Sequence, residues 1–427
     1  MIFSMEHKNH ATLETVSSLL YNISQGGLHR RWEDSLRPTQ TLANEVRKKC
    51  ICFHNKKMRT KEMKSNITKE KGKKKKIFLI ALAIVVSLMI AGDWALSVMI
   101  YEDNFNKRFV SYEPYRLYVD DFEGLQQEKY EFSSNKGQKL TGYLYSNGEN
   151  QKGIIVLAHG FGGGGHNSYM DCTNYFAKHG YYVFAYDATG NDESEGKGVG
   201  GLPQGVIDLD YAISFIEESG KFPNLPICLF GHSWGAYSVC SVLSYHPEVK
   251  AVIECSGFNK SSDMFETEGK KQAGNGIYLM LPFVKLHERI KYGDYARNTA
   301  LDGFKASDAD VMIVHSADDN MVPITYGYDK FYKKYKNDSR FHFVRLENTG
   351  HNYVYDNQDY ITQYFKELNE WVKTLDYDTT AKENQKRFAK DKSEYIHSHL
   401  DRSKFCNMLN EELFEKFVKF YDEHLQK

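Results

Sequence analysis

Short apolar runs recur through the second two-thirds of the chain. They lie at 153–160 (GIIVLAHG), 181–187 (YYVFAYD), 226–232 (PICLFGH), 250–257 (KAVIECSG) and 310–316 (DVMIVHS), with a weaker one at 341–346 (FHFVRL). Such runs predict strands covered on both faces, hence a parallel sheet. Ahead of them, EKYEFSS and KLTGYLYS alternate apolar and polar residues around the turn NKGQ, which predicts a hairpin. Between the runs the period changes. Over 203–218, Val206, Leu209, Ala212, Ile213 and Ile216 share one helical face. The stretches 233–243, 326–335 and 358–375 also read as helices. This alternation predicts a doubly wound, mostly parallel α/β sheet with its site at the C-terminal ends of the strands.

Two stretches break the alternation. Residues 258–307 contain the apolar run IYLMLPFV (277–284) among polar residues. Fifty structureless residues inside a domain are improbable, so a short helical cap insertion is expected. After 375 comes a tail, 376–427, in which Leu413, Phe417, Phe420 and Tyr421 fall at helical spacing. It reads as a helical C-terminal extension docked on a domain spanning 102–375.

The N-terminal part follows other rules. Residues 77–101 carry a single charge, Asp93. As a helix they would extend about 37 Å, beyond the ~30 Å of bilayer hydrocarbon. Eleven Lys or Arg and only two acids occupy 56–76. That asymmetry predicts an uncleaved transmembrane signal anchor in the cell membrane, crossing once. Residues 1–76 would be a basic, disordered cytoplasmic segment, and the domain that follows would be extracytoplasmic. Trp94 and Tyr101 suit the interface. The stretch MKSNITKEKGKKKK from Met63 resembles a natural leader, so translation is expected to begin at Met58 or Met63.

The net charge of −1 gives no reason to expect a nucleic-acid partner. Seven cysteines at irregular spacing give neither a C-x-x-C site nor a disulfide framework; Cys228 and Cys255 read as buried thiols.

The candidate chemistry falls at strand ends. Gly231-His232-Ser233-Trp234-Gly235 follows an apolar run and opens a helix, the context in which G-x-S-x-G makes a nucleophile elbow. Ser233 is the candidate nucleophile. It needs a base, and His351 lies after the last strand candidate, whereas His315 and His342 lie within strand candidates and His232 within the elbow. An imidazole that becomes charged needs a carboxylate. Asp318 and Asp319 follow the 310–316 strand, and Asp319 is chosen. The oxyanion needs preorganised donors, each worth ~3 kcal/mol. The Phe161 and Trp234 N–H groups are the candidates. Gly162–Gly165 lacks the G-K-[ST] of a phosphate loop.

Together, HGFGGG, YDATGNDESEG (186–196), GHSWG, SADDNMVP and the GH of NTGHNY resemble the α/β-hydrolase superfamily over about 127–375, nearest to membrane-anchored bacterial esterases and acylaminoacyl-peptidase-like hydrolases. Asp319 matches the family acid in G-x-x-D-x-x-V-P. Two positions depart: Asp192 and Ser316 each stand where glycine is usual. The resemblance implies a serine hydrolase acting on a small acyl ester, with no cofactor or metal in the chemistry. Peptide hydrolysis by the same residues and a noncatalytic membrane-anchored binding protein are the rival readings. The 277–284 run would roof the site and favour an apolar acyl group. Oligomeric state is not legible.

Overall fold

The computed structural model describes residues 40–354 and 358–425. The chain divides after Val86 into two units. Helix α1 (Gln40–Phe105) enters both. Its apolar residues from Ile77 to Ile90 are exposed, and it is long and apolar enough to cross a membrane.

Two N-terminal expectations need correction. The part of 1–76 that is described is helical from Gln40, not disordered. Its Lys, Arg, Glu and Met are good helix formers, and extending an existing helix costs far less than nucleating one. Residues 1–39 lie outside the described residues. The expected span 77–101 also overruns. Ser97 and Tyr101 are buried within the second unit, so the last turns of α1 serve the protein core. Tyr101 donates to Glu288 Oε1 at 2.6 Å, and Glu102 takes His287 and Lys291 at 2.7 and 2.6 Å. An interfacial aromatic and a core aromatic look alike in sequence.

The second unit is built on eight strands: β1 (Gln126–Ser133), β2 (Lys139–Ser146), β3 (Ile154–Ala158), β4 (Tyr182–Tyr186), β5 (Ile227–His232), β6 (Ala251–Cys255), β7 (Asp310–Ser316) and β8 (Phe341–Leu346). Their order is β1-β2-β4-β3-β5-β6-β7-β8. β2 pairs antiparallel with β1 and β4, and the remaining pairings are parallel. β3, β5 and β6 are buried throughout, as their unbroken apolar sequence requires.

Helices cover both faces. α2 (Met170–Lys178) is the first after the hairpin; α3 (Pro203–Glu218) and α4 (Trp234–Ser241) pack with it around the central strands. The 258–307 region holds α5 (Ser261–Ala273), α6 (Ile277–Tyr292) and α7 (Ala300–Ala306). α8 (Tyr328–Tyr335) and α9 (Gln358–Lys373) follow, then α10 (Gln385–His399) and α11 (Glu411–His424). Phe414, Phe417 and Tyr421 of α11 lie against Phe176 of α2 and Phe230 of β5, and the Tyr421 hydroxyl donates to Leu229 O at 2.7 Å. The tail therefore completes one face of the sheet.

The strand order reverses around β3, whose neighbours are β4 and β5. Loops leaving β3 and β5 part there in opposite directions and open a crevice at the strand ends. The loop after β3 begins at His159, and the loop after β5 carries Ser233.

Candidate active site

Ser233 stands between β5 and α4 with φ 59° and ψ −115°. A non-glycine residue there is strained, and the fold must hold it. Its N–H donates to Cys255 O at 2.8 Å. The flanking glycines are obligatory. A Cβ on Gly231 would strike the Gly235 carbonyl, and one on Gly235 would strike the Ala158 carbonyl. The same turn leaves the Trp234 N–H at the start of α4, where it has no intrahelical acceptor. The Trp234 ring is anchored by its Nε1–H to Leu202 O at 2.8 Å and meets Phe161 edge-on at 5.7 Å. Neither the Phe161 nor the Trp234 N–H has an acceptor among the described residues.

His351 Nδ1 lies 2.7 Å from Asp319 Oδ2. The other Asp319 oxygen accepts from the N–H groups of Met321 and Val322, both at 2.9 Å. Burial works to raise the Asp319 pKa, but the hydrogen bonds from His315, His351 and Val322 outweigh it and hold the carboxyl well below its usual range. Asp318 does a different job: its exposed carboxylate accepts from Ser316 Oγ at 2.6 Å and Gly350 N–H at 3.0 Å. Ser316 Oγ in turn takes the Thr349 N–H at 3.2 Å. The serine that replaces the usual glycine thus ties the histidine loop to the acid loop. Among the described residues no hydrogen bond joins Ser233 Oγ to the His351 ring; such contacts often tighten only with substrate bound.

Asp192 is explained too. Its φ of 31° is why glycine is usual there. Its carboxylate repays the strain by accepting from Ser111 N, Ser111 Oγ and Gly165 N at 2.6, 2.6 and 2.9 Å. That last bond pins the glycine loop carrying Phe161.

Two histidines set aside in the sequence join the site. The Gly160 N–H donates to Tyr169 Oη at 3.1 Å, Tyr169 Oη lies 2.9 Å from His232 Nδ1, and His232 Nε2 lies 3.0 Å from His351 O. A carbonyl can only accept, so His232 carries its proton on Nε2 and accepts from the tyrosine. Burial, then the neighbouring His351, push its pKa down to about 3, so it stays neutral. This chain links the loop carrying Phe161 to the loop carrying His351. His315 Nε2 donates to Val322 O at 2.9 Å and lies 3.4 Å from the Asp319 oxygen that faces His351. Burial lowers its pKa, but Asp319 and the buried Glu254 raise it on balance. Position x of the elbow motif was the available signal for His232; nothing in the pattern marks Tyr169.

A family model described as serine aminopeptidase, S33, matches residues 149–313. The match takes in Phe161 and the elbow and ends before Asp319. With the strand order and the Ser233 turn, it points to one fold. The chain has the α/β-hydrolase fold. Similar solved structures include an esterase of Pyrococcus furiosus, at 17% identity over 63% of this chain and 97% of that one, TM-score 0.46. An acylaminoacyl peptidase of Pyrococcus horikoshii is 14% identical over 54% and 38%, TM-score 0.40. An esterase domain from Rhodothermus marinus is 20% identical over 53% and 89%, TM-score 0.37. At that distance they say nothing of this chain's substrate. No curated protein matches it.

Proposed function

We propose that this α/β-hydrolase cleaves an ester or related acyl bond through Ser233, His351 and Asp319. The observation that carries the reading is the 2.7 Å bond from His351 to Asp319, beside a serine held on a strained turn. Ser233 Oγ attacks the carbonyl carbon and its proton passes to His351 Nε2. The oxyanion is received by the Phe161 and Trp234 N–H groups, worth ~3 kcal/mol each. Asp319 stabilises the imidazolium. The tetrahedral intermediate expels the alcohol, which takes the proton from His351. Water, deprotonated by His351, then releases the acid from the acyl-enzyme by the same steps. The chemistry uses no cofactor or metal. The substrate class is a small acyl ester.

Peptide hydrolysis is the second reading, favoured by the aminopeptidase description of the matching family model. Under both readings α1 anchors the chain in a membrane as a single-pass signal anchor, with the hydrolase outside the cytoplasm; the basic residues of 56–76 support that orientation.

The experiment is fluorophosphonate labelling of the detergent-solubilised chain, followed by a matched ester and aminoacyl-amide panel. Labelling of wild type and none of folded Ser233→Ala is expected, with esters turned over faster. An unlabelled wild type would instead support a binding protein without catalysis.

A further inference from the structure

At the end of the sheet opposite Ser233, three potential metal ligands converge. Asp310 opens β7, His342 is the second residue of β8, and His424 is in the last turn of α11. β7 and β8 are paired in register, Met312 opposite His342. Side chains alternate faces along a strand, so Asp310, Met312 and His342 share the face that α11 covers. One ligand atom from each of the three lies within 4.8 Å of the other two. His424 Nε2 and Asp310 Oδ1 are 3.6 Å apart. That is long for a hydrogen bond. It is close to the roughly 3.3 Å between neighbouring ligands of a tetrahedral zinc with bonds of ~2.0–2.1 Å.

The protonation of His424 sharpens the case. Its Nδ1 lies 2.7 Å from Phe420 O, an acceptor only, so Nδ1 carries the proton. Nε2 therefore faces the Asp310 carboxylate across that gap, where either a second ring proton or a metal ion can lie between them. A histidine whose far nitrogen donates to a backbone carbonyl is the usual support for a metal-bound imidazole. The Phe420 ring stands 5.1 Å from His342 and 4.6 Å from His424 and walls the cluster with apolar surface.

We propose that Asp310, His342 and His424 bind a zinc ion that clamps α11 to the β7–β8 edge. Two imidazoles and one carboxylate suit zinc over calcium or magnesium, which take all-oxygen sites. The fourth position is left for water. The role is structural, because the cluster lies at the opposite strand ends from Ser233, and it does not depend on the hydrolase reading.

The test uses the full chain in detergent, stripped with EDTA, desalted and titrated with zinc chloride against a chromogenic chelator, with thermal unfolding alongside. One zinc per chain and a zinc-dependent rise in the unfolding midpoint are expected. His424→Gln and Asp310→Asn should each weaken binding about tenfold or more and abolish the rise. If those variants fail to fold, His342→Asn, on the edge strand and half-buried, carries the same expectation. A Cys50→Ser/Cys52→Ser double variant should keep the zinc. The proposal falls if wild type binds no zinc, if a second proton on His424 does the work so that the midpoint follows pH but not zinc, or if zinc leaves with the cysteines and stays in His424→Gln. Esterase activity surviving EDTA is expected; its absence in every preparation would count against the proposed function and leave the zinc result standing.

Discussion

Tyr169→Phe removes one oxygen and touches no proposed catalytic atom. That oxygen accepts the Gly160 N–H at 3.1 Å and donates to His232 Nδ1 at 2.9 Å; Tyr169 and His232 are buried and Gly160 is half-buried. The variant would leave one buried donor and one buried acceptor unpaired, at about 1–3 kcal/mol each. A total near 3 kcal/mol is expected, since phenylalanine otherwise fills the same volume. For a domain of this size that corresponds to a midpoint lower by roughly 5 °C. Activity should fall as well. Without the tyrosine proton, His232 is free to move its own proton to Nδ1 and lose its hold on His351 O. If about half the molecules then carry a loosened His351 loop and turn over no substrate, kcat falls about twofold, or ~0.4 kcal/mol. KM should change little, because no substrate contact is removed. The assay is p-nitrophenyl ester turnover with thermal unfolding of the same preparation. A midpoint within 1 °C of wild type together with unchanged kcat would refute the network.

Asp319→Asn should lower kcat about 10⁴-fold, because the amide donates to His351 Nδ1 and leaves a proton on Nε2, whereas Asp318→Asn should stay within about threefold; equal losses in ester turnover would show the acid misassigned. His232 has a folded pKa of about 3 against ~6.5 unfolded. Between those values the unfolded chain binds the extra proton, so stability is full above about pH 6.5 and lost as pH falls toward 3, by up to ~1.4 kcal/mol per unit. Denaturant titrations from pH 4 to 7 should show that slope in wild type and a shallower one in His232→Gln. Gly235→Ala drives a methyl into the Ala158 carbonyl; fluorophosphonate labelling should be lost, and a labelled, folded variant would contradict the elbow geometry.

The core strands were legible because burial on both faces writes itself as unbroken apolar sequence. β7 and β8 occupy the spans their runs suggested, and α3 lies where its apolar face put it. α2 went unread: nine residues with polar Asp171, Thr173 and Asn174 give the helical period too little to work on. The pairing of His351 with Asp319 rather than Asp318 rested on spacing, and the geometry supplies the reason, since Asp318 is spent on Ser316 and Gly350. The chain from Gly160 through Tyr169 and His232 to His351 joins residues up to 191 positions apart in sequence (351 − 160) by single polar contacts, which leave no periodic trace. The N-terminal helix misled in the opposite way, since apolar residues that face lipid and apolar residues that face protein are spelled alike.

The docked end of α1 sets where this hydrolase can be cut. Tyr101 and Phe105 pack at a tilt against one another and against Phe265 of α5, and Phe105 reaches Phe161 at 6.0 Å. A protease that sheds a working enzyme has to cleave before Ser97. A cut after Phe105 would carry off two core aromatics, strip Glu288 of its tyrosine and release a fragment with a gap beside Phe161. The last turns of the helix therefore belong to the core of the second unit, whatever surrounds the preceding turns.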